Sequence, residues 1–240
     1  MSLIPSFAQA SLAAATLAAT AGTYAAVSPP NPDTKLAPAS KDFLSSIHFT
    51  GRHIAKIAMT PIAIIALQTA TLAYRYPNMP PSLLGHGPEN GLDVNLFRWS
   101  ADTAIPLALV LGAGIPLRLY AYRSLGKNFT FQLTKPDRLI TTGLHGYLQH
   151  PSYTGAAILG FSAAFWLLRW DGVISCWLPP WLYEKITCMG VFFNAFVLSG
   201  AFGWLLWKRV SEEERVLKAA FGAEWERWHA TTPRFLPFLF

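Results

Sequence analysis

Two polar segments of this chain carry residue types that could do chemistry together. The first is LITTGLHGYLQHPSYTG, residues 139–155. Gly143 and Gly146 permit tight backbone turns, and Pro151 suits the first turn of a helix. His150, Ser152 and Tyr153 would then cluster where a polar loop meets a helix start. Free N–H groups at such a start suit a carboxylate or another acceptor-rich ligand. The plainer reading is that His150 caps the helix and Tyr153 is an interfacial aromatic anchor. The second segment is KRVSEEERVLKAAFGAEWERWHATTPRFLPF, residues 208–238. Ser211 and Glu214 fit a capping box for a helix starting near 212. Leu217, Phe221, Trp225 and Trp228 follow at helical spacing and give that helix one apolar face. Glu212 to Glu214 would lie in its first turn, where the helix dipole favours acids. A well-started amphipathic helix accounts for the acids, but not for Arg209 beside them.

The elements that must position these segments are membrane spans. Of 240 residues, 13% are charged and 52% are hydrophobic, with 16 Phe and 9 Trp. Soluble domains carry about 25% charged residues. Five apolar stretches, about 7–27, 54–74, 101–122, 153–170 and 187–207, approach the ~20 residues that cross a hydrocarbon core. The first could be a signal peptide, but residues 1–6 hold no Lys or Arg, which a signal usually has. Pro61, Pro106 and Pro116 are tolerable inside membrane helices. Residues 28–52 read as a Pro-rich loop with a short interfacial helix near 40–50, and 75–100 as a turn-dense loop.

Charge placement orients the chain. The net charge is +6. Bases gather at Arg118, Arg123, Lys127, Lys135 and Arg138, and again at Lys208, Arg209, Arg215, Lys218, Arg227 and Arg234. Both groups abut apolar runs, which fits an anionic membrane surface rather than nucleic acid. The positive-inside rule puts both polar segments in the cytosol. Spans four and five form a hairpin, which requires the two segments to share a side. Cys176 and Cys188 form no CxxC and lack paired His, so no metal site is expected. They read as packing residues, with a disulfide across a lumenal loop as the alternative.

With these motifs in place, the chain resembles the isoprenylcysteine carboxyl methyltransferases. SLGKNFTF (124–131), LITTG…QHPSYTG and EEERVLKAAFGAEWERW…PRFLPF occur in that family's order, over about 118–238. Phospholipid N-methyltransferases share the looser core. The resemblance implies an all-α, multi-span membrane helix bundle of about five spans, with a cytosolic cofactor pocket capped by a C-terminal amphipathic helix. It divides the chain into N-terminal spans and loops, 1–117, and a methyltransferase core, 118–240. The implied cofactor is S-adenosyl-L-methionine, held by Thr134, Asp137, Arg138, Leu139, Ile140, His145, His150, Pro151, Ser152, Tyr153 and Glu213. Arg209 is the implied substrate-side residue, and Arg209 and Glu213 the implied catalytic pair. The implied partners are a prenylated protein C-terminus, or a prenylcysteine-like lipid, and membrane lipid. The implied location is the endoplasmic reticulum, with the site facing the cytosol. Two positions depart: the family usually has Tyr where this chain has His145, and Arg where it has Gln149.

The implied reaction suits so few polar residues. An α-carboxyl, with a pKa of about 3.3–3.7, is already ionised and needs no general base. Its attack on a sulfonium neutralises charge, so in-line positioning is the main task. Arg209 would orient the carboxylate through two hydrogen bonds. Three alternatives remain: methyl transfer to another lipid-like acceptor, a sterol-reductase chemistry that uses a related HPxYxG segment, and a non-catalytic paralogue. The topology is tested by single cysteines placed as Lys135→Cys and Thr231→Cys. Both are expected to label from outside sealed microsomes, and protection of either would break the shared cytosolic face.

Overall fold

The computed structural model describes residues 5–30, 53–129, 135–196 and 200–236. Its regular structure is helical, with no strand among the described residues. Seven helical elements matter for the site: α1 (Phe7–Val27), α2 (Ile54–Arg75), α3 (Ala101–Asn128), α4 (Pro151–Trp166), α5 (Pro180–Phe196), α6 (Phe202–Phe221) and α7 (Ala223–Thr231). Among the described residues, four helical runs are long and apolar enough to cross a membrane: Phe7–Val27, Ala55–Arg75, Ala101–Asn128 and Pro151–Trp177. The chain is a multi-span membrane helix bundle. The fifth expected span, 187–207, lies partly outside the described residues; Thr134 and the helix expected near 40–50 lie wholly outside them.

The spans satisfy their own polar groups, as hydrocarbon demands. In α1 the Thr16 hydroxyl donates to the Leu12 carbonyl at 2.8 Å, and in α2 Thr69 donates to the Ile65 carbonyl at 2.8 Å. Ser6 caps α1 by accepting from the Gln9 N–H. Pro116 removes a donor from α3, and the helix widens into a π turn over Val110–Gly114 just before it. Such a turn is how a helix absorbs a missing hydrogen bond. The antiparallel pair α1 and α2 packs along its length, and α3 packs on α4. A Cβ at Gly155 would stand 2.9 Å from the Gly114 carbonyl oxygen and 2.9 Å from Arg118 Cγ. Small residues at this crossing let the two backbones meet.

The ends of the bundle differ. At one end, loop 85–93 interlocks with the segment after α4: Asn90 Nδ2 donates to the Ser175 and Leu178 carbonyls, each at 2.8 Å. Arg169 pairs there with Asp171 at 2.6 Å. Cys176 is buried against this loop, Cys188 is exposed, and both are free, so the alternative of a disulfide is not realised. The other end gathers the segment 135–150, the start of α4, and α6 with α7.

The C-terminal region departs from the sequence expectation. No helix starts near 212. α6 runs unbroken from Phe202 through the whole acidic run, and Ser211 donates to the Trp207 carbonyl at 2.9 Å instead of capping anything. Glu212 to Glu214 are therefore mid-helix. No Gly or Pro lies between Gly203 and Gly222 to end the span at the membrane boundary. The break comes at Gly222, with φ of 50°, a left-handed conformation that glycine adopts without strain. It divides the expected amphipathic helix, putting Leu217 and Phe221 on α6 and Trp225 and Trp228 on α7.

The α3–α4 crossing yields a stability test. Gly155→Ala is expected to cost roughly 1–3 kcal/mol, the usual penalty for overpacking a tight contact. Thermal unfolding of the detergent-purified protein measures it, and an unchanged melting temperature would refute the close approach.

Candidate functional site

The site is built from the loop before α4, the first turn of α4, the middle of α6, and the tail after α7. Pro151 opens α4 as expected. His150 precedes it, but its side chain does not cap the helix. It lies 3% exposed, with Nε2 3.2 Å from Glu214 Oε1. The same carboxylate takes Arg234 in a forked pair, Nε to Oε1 at 2.8 Å and Nη2 to Oε2 at 3.1 Å. Glu214 thus joins α6, α4 and the tail. Burial works to raise its carboxyl, but the hydrogen bonds from His150 and Arg234 outweigh burial and hold it at about 2.

One residue earlier on α6, Glu213 meets Tyr153. The Tyr153 hydroxyl donates to Glu213 Oε2 at 2.6 Å. Arg209, 6% exposed, acts on the same hydroxyl as a hydrogen-bond donor. Residues 209 and 213 are four apart, so one helix face carries both. The result is a relay from the Arg209 guanidinium through the Tyr153 hydroxyl to the Glu213 carboxylate. Among the described residues Glu213 Oε1 has no hydrogen-bond partner, and it can accept from a ligand.

The tail is stitched along the motif. The Gln149 and His150 N–H groups donate to the Pro233 and Arg234 carbonyls, at 2.9 and 3.0 Å. Thr154 Oγ1 donates to the Phe235 carbonyl at 2.8 Å. Gln149 is 4% exposed, and its Nε2 donates to the Thr232 and His229 carbonyls. Its Oε1 must then accept, and it meets His229 Nδ1 at 2.8 Å. This assigns the proton to His229 Nδ1 and leaves Nε2 as the acceptor facing Arg234, 3.5 Å away. Gln149 is therefore a clamp on the tail. The first turn of α4 itself consumes donors that the sequence offered to a ligand, because the Tyr153 and Thr154 N–H groups bond to the His150 carbonyl.

His145 is buried, with Nε2 3.1 Å from Ser124 Oγ, and its carbonyl accepts from Trp228 Nε1 at 2.9 Å. Burial pushes the His145 imidazole below its usual range, and burial together with Arg234 does the same for His229. Asp137 and Arg138 are exposed, and Asp137 pairs with Lys127 at 2.6 Å. Leu139 and Ile140 are half-buried. No hydrogen bond or ion pair among the described residues links 137–140 to Tyr153 or Glu213. The structure brings together His145, His150, Ser152, Tyr153, Arg209 and Glu213. Sequence reasoning passed over Glu214, Arg234 and His229 as network members, although the HATTPRF tail held the signal.

An all-helical membrane bundle with a buried, charge-relayed cluster at one end defines a class of membrane proteins with a polar site at one boundary. The family described as phospholipid methyltransferase matches residues 103–191, which include most of α3, the cluster's first segment and α4. The chain is thus similar over this stretch to membrane methyltransferases. No curated protein and no solved structure matches it.

The titrations give a pH signature. A group whose pKa is lower in the folded chain stabilises the fold above its unfolded value, and that contribution is lost as pH falls. Stability is expected to decline first below the ordinary histidine value of 6.5, through His145 and His229, and again from 4.5 toward 2 through Glu214. Glu214→Gln is expected to remove the second step and cost roughly 1–3 kcal/mol at neutral pH, by leaving Arg234 and His150 without their carboxylate. Unfolding scans across pH check both, and a Gln variant with the native acid profile would refute the network.

Proposed function

We propose that this chain is an S-adenosylmethionine-dependent methyltransferase that acts on the C-terminal carboxylate of a prenylated cysteine, at the cytosolic face of the endoplasmic reticulum. The carrying observation is the buried Arg209 on the same hydroxyl as Glu213, in a chain matching the phospholipid methyltransferase family over 103–191. S-adenosylmethionine, when bound, supplies an electrophilic methyl group on a sulfonium. The residues fit such a group. Glu213 offers a carboxylate oxygen to a cofactor hydroxyl or ammonium, and the Tyr153 ring, whose centre lies 5.7 Å from that of His150, offers the kind of aromatic face that attracts a cation.

Arg209 would orient the acceptor. Its planar fork matches a carboxylate, and the Tyr153 hydroxyl holds it in place before the acceptor arrives. Glu213 balances its charge, so the buried pair is not isolated. The apolar part of the acceptor would lie against the helices, in lipid-like surroundings. A second reading is methyl transfer to a phospholipid amine, favoured by the description of the matching family. An amine must lose a proton, and the Arg209 cation is a poor neighbour for that step.

Purified protein with labelled S-adenosylmethionine decides between them. Label is expected in a farnesylcysteine analogue and not in phosphatidylethanolamine; the reverse selects the second reading, and neither product rejects both. Glu213→Ala is expected to abolish S-adenosylhomocysteine binding in calorimetric titration while the protein stays folded. Arg209→Lys is expected to lose roughly a hundredfold in turnover with cofactor affinity intact, because an ammonium cannot reproduce the fork. Near-normal turnover in the Lys variant would leave Arg209 as an interfacial anchor.

A further inference from the structure

Arg118 interrupts the apolar run Leu117–Arg118–Leu119, and nothing in the proposed chemistry uses it. It is 7% exposed within α3. An ionisable side chain at such a place is expensive and needs a reason. Its guanidinium spreads across three helices. Nε donates to the Ala26 carbonyl at 2.9 Å, Nη1 to Ser152 Oγ at 2.9 Å, and Nη2 to the Tyr122 hydroxyl at 2.8 Å. The Tyr122 hydroxyl donates in turn to the Ala26 carbonyl. The cation lies 5.2 Å from the Tyr122 ring centre. Gly155 keeps the space open, since a Cβ there would press on Arg118 Cγ.

Each contact has a physical reading. Ala26 belongs to the last turn of α1, where carbonyls lack intrahelical partners and carry the negative end of the helix dipole. The end of α1 therefore serves as a counter-pole to Arg118. At the other contact, a guanidinium has donors only. Ser152 Oγ must accept from it, and the Ser152 hydroxyl hydrogen must point elsewhere. Among the described residues that hydrogen has no acceptor, and Ser152 is the neighbour of Tyr153. Arg118 thus fixes the direction of a buried donor beside the relay, and α1 fixes Arg118. α1 lies outside the residues that match the methyltransferase family.

We propose that α1 is a working part of the methyl-transfer unit, and that Arg118 is the positioning residue through which it acts, by setting the Ser152 hydroxyl for the ligand beside Tyr153. This rests on the proposed function for the identity of the ligand, and on the geometry alone for the coupling.

The test uses the purified full chain with Arg118→Lys, Ser152→Ala and the double variant. S-adenosylhomocysteine affinity is expected to fall about tenfold in each single variant, the worth of one hydrogen bond to a charged group. The double variant is expected to be no weaker than either single one, because both remove the same interaction. Amide exchange is read in parallel without ligand: Arg118→Lys is expected to speed exchange at 24–28 and at 152–156 together. A merely structural Arg118 would lower the melting temperature but leave affinity unchanged in the folded variant, or add its effect to that of Ser152→Ala; either outcome overturns the proposal. If Arg118→Lys does not fold, Tyr122→Phe loosens Arg118 without removing it. Several-fold weaker affinity then supports the proposal, and native affinity overturns it. A wild-type chain that binds no S-adenosylhomocysteine sinks the proposed function, and the linked exchange at the two segments alone then decides the coupling.

Discussion

The Glu214 carboxylate is the point on which this end of the molecule depends. It accepts from His150 and from Arg234, groups on segments 64 and 20 residues away in the chain. Two cationic or polarisable donors around one carboxylate keep it ionised despite its burial. Together with the Tyr153–Glu213 hydrogen bond, it ties the acidic stretch of α6 to the start of α4. With it, Glu213 is carried to Tyr153 by the rotation of one residue along the same helix. The apparent redundancy of an acidic run resolves into a division of labour: one carboxylate builds the site, and the next faces its contents.

Much of the fold was legible because a bilayer imposes a simple rule on sequence. Apolar runs of about twenty residues, with Pro tolerated inside them, read directly as spans, and the first four stand close to where they were expected. Pro151 likewise marked the start of α4. The C-terminal region misled for a local reason. Ser211 and Glu214 have the right types and spacing for a cap, but a capping box works only where a helix begins, and nothing before Ser211 stops the preceding one. Gly222 was the real punctuation. Its signal, a glycine between two helical patterns, was present but outweighed by the periodicity across it.

The site was legible in part. His150, Tyr153, Arg209 and Glu213 converge, as motif order implied. The role of Gln149 was not readable, because an amide clamp is defined by what it faces. Its carbonyl and amino groups are taken up by His229 on α7 and by Thr232 in the tail, so a neutral residue with both donor and acceptor suits this position better than a cation, which can only donate. The same holds for Arg118: sequence counts it as one base among several at the membrane boundary, and only the bundle shows that it bonds to α1, α3 and α4 together.

The stitched tail also bears on the order in which the molecule is made. Residues 232–236 leave the ribosome after every span has been synthesised, since translation runs from the N-terminus. Until then His150 and Glu214 lack the Arg234 cation, and the Gln149 and His150 N–H groups lack their carbonyls. The membrane helices must therefore insert and find one another around an unfinished polar end. A chain cut short before the tail would keep all its hydrophobic anchoring and present an open, under-bonded cluster at the membrane surface. Such a product is recognisable by its exposed polar backbone rather than by exposed apolar surface.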